Sequence, residues 1–184
     1  MKRSSFWQAS GFAVATLLGT LLHFLYDWTG ESKIAALFSG VNESTWEHMK
    51  LLFWPLFLFA VFQYFFYKEE NYWYVKLAAT VLGLVLIPVL FYTWNGMFGK
   101  TPDWVNIAIF YIAAGAAFGF EWLAFRKSLF LWKHPQLGLG VLVLLGALFI
   151  IFTFAVPGSR CFGIRLRENM GSSGGSKPPP YIDH

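Results

Sequence analysis

Charge is what this chain most lacks. Asp, Glu, Lys and Arg make up 13% of its 184 residues, where a soluble domain carries roughly 25%. A fold of this size leaves much of its surface exposed, and so little charge leaves that surface without a polar cover. Cysteine is nearly absent as well. Cys161 stands alone, which excludes an internal disulfide framework and any zinc site built from cysteines. Basic stripes are missing too. The net charge of +4 comes from loop residues that orient a membrane protein, and no nucleic-acid partner is expected.

Hydrophobic residues fill the space, at 57%, and aromatics reach 21%, with 21 Phe and 9 Trp. The solvent this implies is the lipid bilayer, the chain's first expected partner. Apolar segments at about 6–28, 46–67, 74–97, 104–125 and 137–156 predict transmembrane helices. Each is long enough for a hydrocarbon layer of about 30 Å at about 1.5 Å per residue. Only helices or closed barrels satisfy the backbone in lipid, and uniform rather than alternating apolarity selects helices. The expectation is an all-α membrane protein: one domain over 1–157 with about five transmembrane helices, and a flexible tail over 158–184, rich in Gly, Ser and Pro. The first segment is too long for a signal peptide and ends without a small-x-small site, so it reads as a retained helix.

Orientation follows the basic residues at helix ends. Lys2, Arg3, Lys68, Lys76, Arg126, Lys127 and Lys133 share one side, against Lys33, Lys50 and Lys100 on the other. Seven against three predicts a cytoplasmic N-terminus, although Arg160, Arg165, Arg167 and Lys177 of the tail run the other way.

Polar residues then gather at the extracytoplasmic ends. The stretch "GVNESTWEHMK", residues 40–50, leads straight into "LLFWPLFLFAVFQYFFY", seventeen residues without a charge. His23, Tyr26 and Asp27 close the first helix, and Tyr92 and Asn95 close the third. Ionisable groups inside a membrane segment are costly and mark candidate sites. The predicted ligand pocket holds His23, Tyr26, Asp27, Asn42, Glu43, Lys50, Tyr92 and Asn95. Glu47 and His48 are the candidate catalytic pair, although adjacent residues diverge by about 100° around a helix. His23, Glu43 and His48 are candidate ligands for a divalent metal, since imidazole and carboxylate suit zinc-like ions.

A plainer reading stands beside this one. Ser44 and Glu47 match a capping box, Lys50 a snorkelling charge, and His23 with Asp27 a hydrogen-bonded pair four residues apart. "NES" at 42–44 also fits a glycosylation acceptor. Gly11, Ala15 and Gly19 form a ridge of small residues, and Gly115 and Gly119 a second, both suited to helix packing or a homo-oligomer. Glu121, near the cytoplasmic end of the fourth segment, reads as an interfacial or paired carboxylate.

The strings "HFLYDW" and "LFSGVNESTWEHMKLLFWP", within residues 19–55, resemble an uncharacterised family of small bacterial integral-membrane proteins. Its signature, V-N-E-S-x-W-E-H-x-K, corresponds to Val41, Asn42, Glu43, Ser44, Trp46, Glu47, His48 and Lys50. The resemblance implies a multi-helix protein of the plasma membrane and brings no substrate. Three functions stay open. One is a membrane-embedded hydrolase or transferase with Glu47 or His48 as base. Another is a carrier or ligand-binding protein. The third is an accessory subunit whose polar cluster only fastens the first two helices.

Overall fold

The computed structural model describes residues 2–30, 32–40, 45–129, 134 and 136–155, with side chains at all of these except 2, 3, 33, 154 and 155. The predicted tail, together with Asn42, Glu43, Ser44 and the capping-box reading, lies outside the described residues. The described chain is all helical: α1 (Lys2–Trp28), α2 (Lys33–Phe38), α3 (Thr45–Tyr64), α4 (Tyr72–Phe98), α5 (Asp103–Arg126) and α6 (Gln136–Ala155). Four of these, α1, α4, α5 and α6, are long and apolar enough to cross a membrane. α3 is of similar length, but its first six residues, "TWEHMK", lower its apolarity.

The short helix α2 has no counterpart among the expected elements. It lies inside the segment read as an outer loop, and six residues are too few to give a periodic signal. Its C-terminal neighbour Ser39 fastens it to α1. The Ser39 hydroxyl accepts a hydrogen bond from the Tyr26 N–H at 3.0 Å and donates to the Leu22 carbonyl. It thus enters the i to i−4 ladder of α1 between donor and acceptor.

Small residues set how closely the helices pack. Gly11, Ala15 and Gly19 are all buried on α1, along a face where α3 and α5 run antiparallel to it. A Cβ on Gly19 would stand 2.3 Å from Phe110 of α5 and 3.2 Å from the Leu51 carbonyl oxygen of α3. That carbonyl has lost its usual donor, because Pro55 carries no N–H. The bare Cα of Gly19 therefore lies against an exposed acceptor, an arrangement suited to a weak Cα–H···O contact. Where α6 meets α4, a Cβ on Gly138 would come within 2.7 Å of the Trp73 carbonyl group. Backbone cannot yield there as a side chain can, so glycine fixes that crossing.

The core is apolar and aromatic. Phe59, Phe110, Phe118, Leu51, Leu52 and Ala113 form one cluster, and Phe53, Trp54, Tyr72, Trp73 and Phe149 lie in another. The outside is apolar as well: Leu17 is 61% exposed, and Leu58, Phe62, Val85, Val143 and Leu144 are all more than half exposed. An outer surface this apolar suits contact with lipid rather than water.

Candidate functional site

At the end where α1 finishes and α3 and α5 begin, the three helices enclose a cavity of about 340 Å³. Gly19, Thr20, His23 and Phe24 of α1 line one wall, His48 and Leu51 of α3 the back, and Asp103, Asn106, Ile107, Phe110 and Tyr111 of α5 the other side. The imidazoles of His23 and His48 face each other with ring centroids 6.1 Å apart. Each helix delivers its polar group for a local reason. α1 and α3 are antiparallel, so the last turns of α1 meet the first turns of α3. α5 starts at the same level, and its first turn carries Asp103 and Asn106.

The other predicted site residues fall in several places. Glu47 and Lys50 belong to a different cluster and do not line this cavity. Lys50 is fully buried. Its Nζ lies 2.8 Å from Glu47 Oε2, donates to the Ala36 carbonyl at 2.7 Å and reaches Thr153 Oγ1 at 3.4 Å. The ion pair thus ties α3 to α2 and α6. Adjacent residues diverge around a helix, so Glu47 turns towards Lys50 while His48 turns towards α1 and α5. Tyr26 is buried, and its ring packs with Ala35 and Ala36 of α2. Asp27 and Tyr92 are exposed. Asn95 serves the turn after α4: its Oδ1 accepts from the Thr101 N–H at 3.0 Å and from the Thr101 hydroxyl at 2.9 Å. Among the described residues no three of His, Cys, Asp and Glu gather closely enough to hold a metal ion. Glu43, the third member of the predicted metal set, lies outside them.

Asp103, Asn106, Thr20 and Tyr111 are the polar cavity residues that sequence reasoning missed. The signal was present for two of them. Asp103 and Asn106 open a segment at the same membrane end as His23 and His48, but polar residues at a helix start read first as ordinary boundary residues.

The opposite end of the bundle holds a second buried polar layer. Lys76 of α4 and Glu121 of α5 form an ion pair at 2.6 Å, both almost wholly buried. The Lys76 ammonium also lies 5.5 to 5.8 Å from the ring centres of Tyr72, Phe59 and Phe118. Beside it, the Tyr72 hydroxyl donates to the Ala60 carbonyl at 2.6 Å and lies 3.4 Å from Gln63 Oε1. Glu121 is therefore paired, and it lies in the interior rather than at the interface.

Helical architecture and an apolar outer surface set the class: a helical protein with four segments long and apolar enough to cross a membrane. Within that class the chain belongs to DUF6512, a family of unknown function, whose match covers residues 1–171. The matched region extends well beyond residues 19–55 and includes the first part of the tail. No curated protein and no solved structure matches the chain.

Proposed function

We propose that this is a multi-pass protein of the cell membrane with five spans and a cytoplasmic N-terminus, and that it holds a small amphiphile in the cavity between α1, α3 and α5. With α3 counted as a span, its twenty residues rise about 30 Å, enough for the hydrocarbon layer, and its polar first turn lies at the boundary. The distribution of basic residues supports a position for the cavity near the extracytoplasmic face.

The observation that carries the reading is the juxtaposition of two imidazoles with an apolar, outward-open wall. His23 and His48 supply two imidazoles whose ring centroids lie 6.1 Å apart. Asn106 adds a donor and an acceptor, and Asp103 a carboxylate. Phe24, Ile107 and Tyr111 line the same cavity and are 46%, 59% and 41% exposed on the outer surface of the bundle. A ligand with a polar head and an apolar tail fits both halves, and it would enter sideways from lipid. Ligand sites are commonly apolar clefts with a few convergent polar groups. Glu47 and His48 then take different parts: Glu47 fastens helices, and His48 meets the occupant. A divalent ion shared by the two imidazoles is the second reading, favoured by the ring separation alone.

The test is ligand retention. Protein purified in mild detergent is extracted with organic solvent and analysed by mass spectrometry, with elemental analysis alongside. Wild type is expected to hold a tail-bearing polar species, reduced about tenfold or more in the His23→Ala/His48→Ala variant through loss of two hydrogen-bonding groups. A stoichiometric divalent metal lost in the same variant would favour the second reading. Equal extracts, with no metal in either, would leave the cluster a purely structural role.

A further inference from the structure

At the end of the bundle opposite the histidines lies a cavity of about 230 Å³, lined by Ser4, Ser5, Tyr67, Trp122, Phe125 and Arg126. Among the described residues its polar lining is a guanidinium and three hydroxyls, with no carboxylate. The guanidinium carbon of Arg126 lies 5.2 Å from the ring centre of Trp122. The Trp122 indole N–H in turn donates to the Ser5 hydroxyl at 3.0 Å. This chain of contacts holds the guanidinium of Arg126 beside Trp122 and the Ser5 hydroxyl. Among the described residues no carboxylate forms an ion pair with Arg126. Inside the rim, the Ser4 hydroxyl oxygen is buried and has no hydrogen-bond partner.

An unpaired guanidinium beside hydroxyl donors is the chemistry that receives a phosphate. The surroundings favour a lipid as its source. Phe6 and Phe66 near the same end are 66% and 52% exposed, and a tryptophan lies at the mouth, as is usual where hydrocarbon meets headgroup. Glu69 and Glu70 follow Tyr67 in the chain, but neither lines the cavity. Basic pockets between membrane helices on the cytoplasmic side hold anionic headgroups by these means.

We infer that the Ser4–Ser5–Tyr67–Arg126 cavity binds the phosphate of an anionic phospholipid in the inner leaflet. This site is separate from the histidine cavity; its assignment to the inner leaflet rests on the cytoplasmic N-terminus proposed above.

Native mass spectrometry of the full chain, titrated with phosphatidylglycerol and in parallel with phosphatidylcholine, tests the inference. Wild type is expected to retain phosphatidylglycerol preferentially. Arg126→Gln should weaken that binding by roughly tenfold, the loss of one charge-assisted pair, and Arg126→Lys should weaken it less, because a point charge keeps attraction without the fork. Ser4→Ala/Ser5→Ala, which keeps every charge, should lower affinity for phosphatidylglycerol and leave general detergent stability unchanged. Equal retention of the two lipids, or an Arg126→Gln protein that binds as wild type does, overturns the site. Displacement of the lipid by millimolar inorganic phosphate keeps the anion chemistry and overturns the lipid as its source.

Discussion

Glu121→Gln will destabilise the bundle by about 3–5 kcal/mol, the usual cost of removing one member of a buried ion pair. The carboxylate lies 2.6 Å from the Lys76 ammonium, and neither group reaches solvent. With the carboxylate gone, the cation keeps only an amide and the rings of Tyr72, Phe59 and Phe118. Ring faces contribute about 0.5–2 kcal/mol each and do not replace a counter-charge. Lys76→Met/Glu121→Leu should recover most of the loss, because removing both charges removes the desolvation cost along with the attraction. Chemical unfolding in detergent, followed by near-ultraviolet circular dichroism, measures both variants. A Glu121→Gln loss below about 1 kcal/mol, the range of an exposed pair, would mean that water reaches the layer.

Lys50→Met should cost about as much, but its double variant should behave differently. The Lys50 ammonium meets Glu47, the Ala36 carbonyl and Thr153 together. Ala36 lies in the last turn of α2, where carbonyls lack helical donors. Removing the ammonium therefore leaves a buried carboxylate and an unmet carbonyl, an expected loss of about 3–5 kcal/mol. Lys50→Met/Glu47→Met removes the stray charge and leaves the carbonyl unmet, so recovery should fall short by about 1–3 kcal/mol, the cost of a buried polar group without a partner. Cleavage between α1 and α3 by limited proteolysis should accelerate in both variants, since α2 loses its hold on α3 and α6. Complete recovery with unchanged cleavage would show that Ala36 has other support.

The helical class could be read from the sequence because lipid demands unbroken apolar runs, and those runs need no partner to be recognised. Side-chain pairing is harder to read, because it depends on which helix faces which. Lys76 and Glu121 are 45 positions apart, yet each lies slightly more than one turn inside an apolar segment at the same end. Two opposite charges placed so are candidates for a pair, a signal that would have named the partner where the reading of Glu121 as interfacial or paired left it open. Glu47 and His48 show the limit from the other side. Their adjacency made them look like one site, whereas helix rotation sends one to an ion pair with Lys50 and the other to the cavity wall. Asp103 and Asn106 were hidden by their place at a helix start, where polar residues are ordinary. α2 and the Ser39 bridge were beyond reach, because a six-residue helix inside a loop has no period to read.

All of the functional proposal rests on His23 and His48 sharing one cavity inside the membrane-embedded chain. Replacing both by cysteine, with Cys161 changed to serine, and treating membranes with a short lipid-soluble bismaleimide measures this directly. With the rings 6.1 Å apart in one cavity, the two cysteines are predicted to join within a single chain and to resist a membrane-impermeant maleimide. Two cysteines that never join, and that each react with the impermeant reagent, would contradict the shared cavity and the function built on it.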